Sequence, residues 1–503
     1  MGLGIVKLVG PGRPAAAIAA AVACAASMPV AAQVTPARSD AADRRSVAVT
    51  IYNAGMALVR EVREVDLPAG AVELAFEDVA ARVRPETVRV HDTAVAGAAR
   101  VVEQNYRWDA IAPASLIDRY VGRRIDLVQV VPGTGETLRQ EATLLSTGGP
   151  VFGSLPFGDD VYDIGGDVTF GGPWRIVLPP EIPEGLVARP TLFWLLDSPR
   201  PGRRVIEASY LTWGMTWRAD YVLLLAPDGR GGDLTGWVTI NNDAGIPFHG
   251  AALRLVAGHV NVVADEGRSR DTFNLRGARM RTLAMEEPPP AFVQEGMFEY
   301  HLYTLGRRTD LADREQKQIE LLRGSGIPVE RTYRLRGQVQ WFAAAQRGIM
   351  ENLHPDVWVE FVNAERVGLG MPLPAGTVRV YQGEAGRRGG RQFVGEGAIP
   401  HTPREERVKL RVGSAFDIVA ERRQIDYDVL ADGVIETEWE VRIRNRKPEP
   451  VVVEVREPTH GDWEVRSSSV PHVKVSAREV RFDVACRPDE EAVLRYVLRV
   501  RSW

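Results

Sequence analysis

The stretch Val205–Val263, VIEASYLTWGMTWRADYVLLLAPDGRGGDLTGWVTINNDAGIPFHGAALRLVAGHVNVV, decides the fold class. It sets Trp213, Trp217, Trp237, Tyr210 and Tyr221 among aliphatic runs broken by glycine. Aromatic and β-branched residues between glycine-rich breaks predict strands and turns. Just upstream, TLFWLLDS (191–198) and VIEASYLTW (205–213) flank PRPGRR and predict a buried hairpin. Downstream, Asn241-Asn242-Asp243-Ala244-Gly245 has hairpin-turn chemistry, with cation binding as the rival reading.

The same pattern extends in both directions. IETEWEVRI puts Ile435, Thr437, Trp439, Val441 and Ile443 on one face and charged residues on the other, the mark of a half-exposed antiparallel strand. In VRFDVAC, Val480, Phe482, Val484 and Cys486 share a face, so Cys486 is expected to be a buried, inert thiol. Short strands at close spacing after residue 401 predict an immunoglobulin-like sandwich. The reading is a mainly β, multidomain chain of antiparallel sandwiches with few short helices and an inserted small β-barrel. One helix is expected from Pro113 to Gly122, bounded by proline and glycine. Residues 311–322 fit either a helix or a polar loop feeding a strand.

The expected division is a signal peptide at 1–32, a polar linker at 33–45 and an N-terminal β segment at 46–110. The barrel occupies 111–180, and 181–263 completes the N-terminal domain. A charged, proline-containing disordered loop follows at 264–296, too poor in apolar residues to offset the entropy of ordering. A further β segment spans 297–400, and the sandwich spans 401–503.

Lys7 and Arg13, the Ala-rich stretch from Pro14 and the Val30-Ala31-Ala32 site predict secretion with cleavage after Ala32, hence a periplasmic or secreted protein. An uncleaved anchor and lipidation at Cys24 are the alternatives. No later run of 18 apolar residues predicts a membrane span. The net charge of -4 gives no reason to expect nucleic acid as partner. Cys24 and Cys486 are the only cysteines, so neither a disulfide framework nor a cysteine zinc site is expected in the mature chain. Only five of the 62 basic residues are lysine, and the arginines are scattered rather than clustered.

Several segments resemble the bacterial family catalogued as domain of unknown function 4139, which includes mucoidy-inhibitor-like proteins. They are YLTWGMTWRADYV (210–222), LTGWVTINNDAG with ALRLVAGHVN (234–261), FEYHLYTL (298–305), KQIELL (317–322), GLGMPLPAGTVRVYQ (368–382), HTPREERVKLRVGSAFDIVAER (401–422) and GDWEV (461–465). VVEQNYRWDAIAPASLIDRYVG and PTLFWLLDS are similar too. The coiled-coil segment of the longer members has no counterpart here. The resemblance implies a secreted or periplasmic β-rich protein and supplies no catalytic residues.

Chemistry is sparse. There is no dinucleotide fingerprint, P-loop, H-E-x-x-H or G-x-S-x-G, and no cofactor or metal is expected. His301 and His401 lie in the family-like segments and, with Asp417 or Glu421, are candidate catalytic or ligand residues. Hydrogen bonding at strand ends is the competing reading. Trp213, Trp217 and Trp237 are candidates for a sugar-binding surface, core packing being the alternative. Two functions remain open: a non-catalytic envelope protein that binds another protein or a surface polysaccharide, and a hydrolase of envelope polysaccharide or peptide.

Overall fold

The computed structural model describes residues 34–93, 99–107, 113–130, 135–147, 160–170, 174–179, 189–258, 260–261, 292–342, 344–384 and 390–501. The chain is mostly strand, arranged in several sheets with very few helices. The expected leader, Cys24 and residues 264–291 of the expected loop lie outside the described residues, while 292–296, expected in that loop, belong to the strand Phe292–Met297. No helix among the described residues is long and apolar enough to cross a membrane.

Alternating burial builds the first body. A seven-stranded sheet runs in the order Phe292–Met297, Tyr300–Leu311, Phe248–Ala257, Arg44–Tyr52, Met56–Leu67, Gly202–Trp213, Arg89–Asp92. One face of it packs on a central five-stranded sheet, Glu315–Pro328, Gly231–Asn242, Met215–Leu225, Gly376–Gly383, Arg391–Ile399. A four-stranded sheet, Thr35–Ser39, Gly70–Phe76, Thr191–Ser198, Arg100–Arg107, contributes Val72, Leu74, Phe76 and Trp194 to the same core. Tyr221 and Tyr303 are buried in this core, and their hydroxyls donate to the Pro374 and Pro372 carbonyls, both at 2.8 Å, pinning the MPLPAG loop.

The C-terminal sandwich closes a second core between two sheets. One is six-stranded: Arg407–Ser414, Asp356–Val362, Glu330–Arg336, Val451–Pro458, Glu479–Cys486, His472–Ser476. The other is five-stranded: Ile349–Leu353, Ile418–Ala431, Val434–Asn445, Glu491–Arg501, Asp462–Ser468. The six-stranded sheet serves both cores. Val359, Phe361, Val408 and Leu410 belong to the first, while Tyr333, Leu335, Val453 and Phe482 belong to the second. Close approach of strand Arg391–Ile399 to strand Arg407–Ser414 requires glycine, because a Cβ on Gly395 would collide with the Val412 backbone oxygen.

Three buried asparagines mark the places where the chain leaves one sheet for another. Asn242 Nδ2 donates to the carbonyls of Ile246, Leu311 and Ala312. Asn445 Nδ2 does the same for Glu449, Cys486 and Arg487, and Asn363 Nδ2 for Met371 and Pro403. Each amide satisfies carbonyls that a departing strand would otherwise bury without partners.

Several expectations need correction. TLFWLLDS and VIEASYLTW are both strands, but they do not form a hairpin; one joins the four-stranded sheet and the other the seven-stranded sheet. Likewise, Asn241–Gly245 is a crossover between sheets rather than a hairpin turn, and the Asn242 amide is consumed by structure. The 33–45 linker contains a strand, Thr35–Ser39, paired in parallel with Gly70–Phe76. Of the two readings of 311–322 the helix is excluded and the polar loop feeding a strand agrees, with 312–314 as the loop and Glu315–Pro328 as the strand. The expected boundary at 401 is crossed, because Glu330–Arg336, Ile349–Leu353 and Asp356–Val362 pair into the C-terminal sheets. The helix is present at Pro113–Arg119. The described residues of the insert form an open sheet, Asp167–Phe170, Val161–Ile164, Thr137–Ser146, Arg124–Val130, Arg175–Val177, rather than a closed barrel. Its edge strands have four and three residues, too short to meet and close a cylinder.

Candidate functional site

The residues singled out in the sequence occupy separate parts of the fold. His301 is half-buried on the strand Tyr300–Leu311, with its Nδ1 3.0 Å from Gln294 Nε2 on the neighbouring strand. His401 lies between the central and six-stranded sheets, where its Nδ1 accepts the Ala375 backbone N–H at 3.1 Å. Asp417 is exposed in the turn before Ile418–Ala431, and its backbone carbonyl accepts the Arg446 N–H. Glu421, two turns of alternation further on, pairs with Arg444 at 2.6 Å. These contacts are those of strand ends and turns. Among the described residues there is no group of three or more His, Cys, Asp or Glu side chains that could hold a metal ion. Cys486 is buried and donates to the Ile443 carbonyl, and burial pushes its thiol pKa up.

The tryptophans also separate. Trp217 is buried, with Nε1 3.3 Å from the Val256 carbonyl and its ring 6.4 Å from that of Tyr303. Trp237 stands opposite Asp220 in register, whereas Trp217 stands opposite Ile240, so strand alternation puts the two on opposite faces of the central sheet. Trp213, half-buried on the seven-stranded sheet, lies under the Arg84 guanidinium at 5.8 Å. One aromatic surface cannot be made from these three.

A concave site does occur at the junction of the two bodies. An open groove of about 460 Å3 lies where the six-stranded sheet meets the turn between Met215–Leu225 and Gly231–Asn242. Its cause is local. Strands Glu330–Arg336 and Val451–Pro458 run in parallel, but their ladder begins only at Tyr333 opposite Val453. Upstream of Val451 the chain reads Lys447-Pro448-Glu449-Pro450, and a proline has no N–H with which to extend the ladder. The two strands therefore part, leaving Glu330, Arg331 and Thr332 along one wall and Glu449, Pro450 and Val452 along the other. Gly229 and Arg230 close the end, with Arg230 held by the Val329 N–H on its carbonyl at 2.9 Å.

The electrostatics of this groove are uneven. All four carboxylates that line it are already paired with cations: Glu330 with Arg407 at 2.7 Å, Glu449 with Lys447 at 3.1 Å, Asp483 with Arg481 at 3.0 Å, and Glu454 with Arg334 and Arg456 at 2.9 and 2.8 Å. Burial would raise the Glu454 pKa, but hydrogen bonds from Arg334 and Arg456 outweigh it and hold the carboxyl below its usual range. Arg407, Arg334, Glu454 and Arg456 belong to a ladder across the outer face of the six-stranded sheet, Arg407–Glu360–Arg334–Glu454–Arg456–Glu479. Arg230 and Arg331, both exposed and both lining the groove, make no side-chain hydrogen bond or ion pair with the described residues. The Thr332 hydroxyl and, directly across the strand pair, the Trp358 indole N–H are buried without partners among the described residues.

Fold and groove together define a β protein of stacked, shared sheets with an open polar cleft at a strand junction. No family model matches the chain, and no curated protein matches it either. The groove is not legible in the sequence because Arg230 and Arg331 are far apart along it. The one available signal was the pairing of a glycine-rich turn, APDGRGGD, with a proline-interrupted strand entry, KPEP.

Proposed function

We propose that this chain is a non-catalytic binding protein of the bacterial cell envelope, secreted or periplasmic, related to the domain of unknown function 4139 group. The observation that carries the reading is the groove between Glu330–Thr332 and Glu449–Val452, an open cleft with unsatisfied hydrogen-bonding atoms beside it. A cleft of this volume lies in the range of ordinary ligand sites, roughly 300–1,000 Å3. The leader-like N-terminus supports the location, and the partner is an envelope protein or a surface polysaccharide.

The test is affinity capture from the organism's own envelope extract, using the chain from Gln33 and mass spectrometry of proteins and glycans. Val452 is half-exposed on the groove wall, so Val452→Trp should block the cleft while leaving the core intact. A partner retained by the unaltered chain and lost by V452W supports the reading. Equal retention by V452W removes the groove from it, and shortened glycan or peptide in the eluate removes the word non-catalytic.

A further inference from the structure

Resting on that groove as the binding site, we infer that it is an oxyanion site, in which Arg230 and Arg331 take a carboxylate, sulfate or phosphate group of the ligand. The argument is one of residual charge. Lining carboxylates would normally cancel lining arginines, but Glu449 is matched by Lys447 and Asp483 by Arg481, while Glu330 and Glu454, with Glu360 and Glu479 of the ladder, are matched by Arg407, Arg334, Arg456 and Arg336. Arg230 and Arg331, which line the cleft, are left without a carboxylate partner among the described residues.

Position reinforces charge. Arg230 and Val329 are joined through backbone, and Arg331 is two residues beyond Val329. The Arg331 guanidinium lies against Gly229, where a Cβ would come within 3.1 Å of its Nη2. Both forks therefore arise at the same end of one cleft. Guanidinium presents paired N–H donors that match the two oxygens of a carboxylate, sulfate or phosphate, and it is more weakly hydrated than an ammonium. A neutral ligand would leave the charge of the two guanidiniums unmatched, and a cationic one would be repelled.

Binding of inorganic sulfate, inorganic phosphate and succinate, each titrated calorimetrically at constant ionic strength to the chain from Gln33, tests the inference. Three chains are compared: the unaltered chain, R230Q/R331Q, and R347Q/R478Q, which removes the same charge from two exposed arginines that do not line the groove. The expected result is saturable binding of at least one anion, weakened tenfold or more in R230Q/R331Q and changed less than twofold in R347Q/R478Q. The three anions distinguish carboxylate from sulfate and phosphate as the preferred group. An equal loss in both variants, no loss in R230Q/R331Q, or no saturable binding of any anion overturns the inference. If V452W abolishes partner capture while no anion binds, the groove remains the binding site and only its oxyanion character falls.

Discussion

Each of the two bodies buries an ion pair completely, and the pairs are built on different plans. In the first, Glu61 and Arg63 on strand Met56–Leu67 are fully buried, with the guanidinium 2.9 Å from the carboxylate. Glu61 also accepts Arg44 at 2.8 Å and the Tyr210 hydroxyl at 2.7 Å. Arg63 donates on to the carbonyls of Ser39 and Glu77 and lies 3.6 Å from the Phe76 ring centre. In the second, Arg422 and Glu457 meet at 2.6 Å inside the C-terminal sandwich, beside Trp439 and Tyr496. Burial and the Glu457 charge both push the Tyr496 pKa well up.

The difference lies in what each pair connects. Arg63 reaches out of its own sheet to the carbonyls at the end of strands Thr35–Ser39 and Gly70–Phe76, so it joins the seven-stranded and four-stranded sheets. Arg422 and Glu457 join the two faces of a single sandwich, and the chain fits around them: Gly337 lies so close that a Cβ there would collide with the Glu457 carboxylate. The first pair specifies how two sheets dock. The second specifies how tightly one sandwich closes.

The comparison breaks most sharply at Arg63. Arg63→Met leaves Glu61 charged and buried with Arg44 as its remaining cation and takes the guanidinium donor from the Ser39 and Glu77 carbonyls, of which Ser39 keeps the Glu77 N–H, so stability should fall by about 4 kcal/mol, the usual scale for breaking a buried pair. Equilibrium denaturation measures it, and loss of protection at Thr35–Ser39 in hydrogen exchange would localise it to the docking of the four-stranded sheet. A drop under about 1 kcal/mol would show that the cluster does not hold that junction. Next in size, Gly337→Ala should cost about 2–3 kcal/mol by overpacking. Combined with Glu457→Ala, which removes the colliding oxygen, the added cost of G337A should shrink by more than half; an additive double mutant would contradict the tight-closure account.

The smallest effect is one of pH. Glu440 is buried on the outward side of strand Val434–Asn445, where burial would raise its pKa but Arg442, Arg495 and Arg423 outweigh it and hold the carboxyl below the usual range. A carboxyl depressed in the folded state contributes stability above its unfolded pKa of about 4.3 and loses it as pH falls through the lower folded value. Glu440→Gln should therefore lower stability at neutral pH and flatten the decline below about pH 4. Parallel acid limbs in the two chains would rule out that contribution.

Legibility in the sequence followed distance along the chain. Strand Val434–Asn445 was readable because Thr437, Trp439, Val441 and Ile443 repeat every second residue, and each is buried as that period requires. The short helix was readable from its proline and glycine boundaries. Strand Glu315–Pro328 was harder, because EQKQIELLRGSG is polar at its start and interrupted by glycine; it becomes a strand by pairing with Gly231–Asn242. TLFWLLDS and VIEASYLTW looked like hairpin partners because a turn-rich segment separates them. Nothing local distinguishes two strands of one sheet from two strands of neighbouring sheets.

The sequence by itself determined the mainly β class, the strand faces and the burial of Cys486, since these follow from side-chain period and local turn chemistry. Only the tertiary structure decided which strands share a sheet, that one six-stranded sheet serves two cores, and that Arg230 and Arg331 face a single groove. The reason is physical: period and turn chemistry act over a few residues, whereas sheet partnership and residual charge depend on which distant residues come within hydrogen-bonding reach.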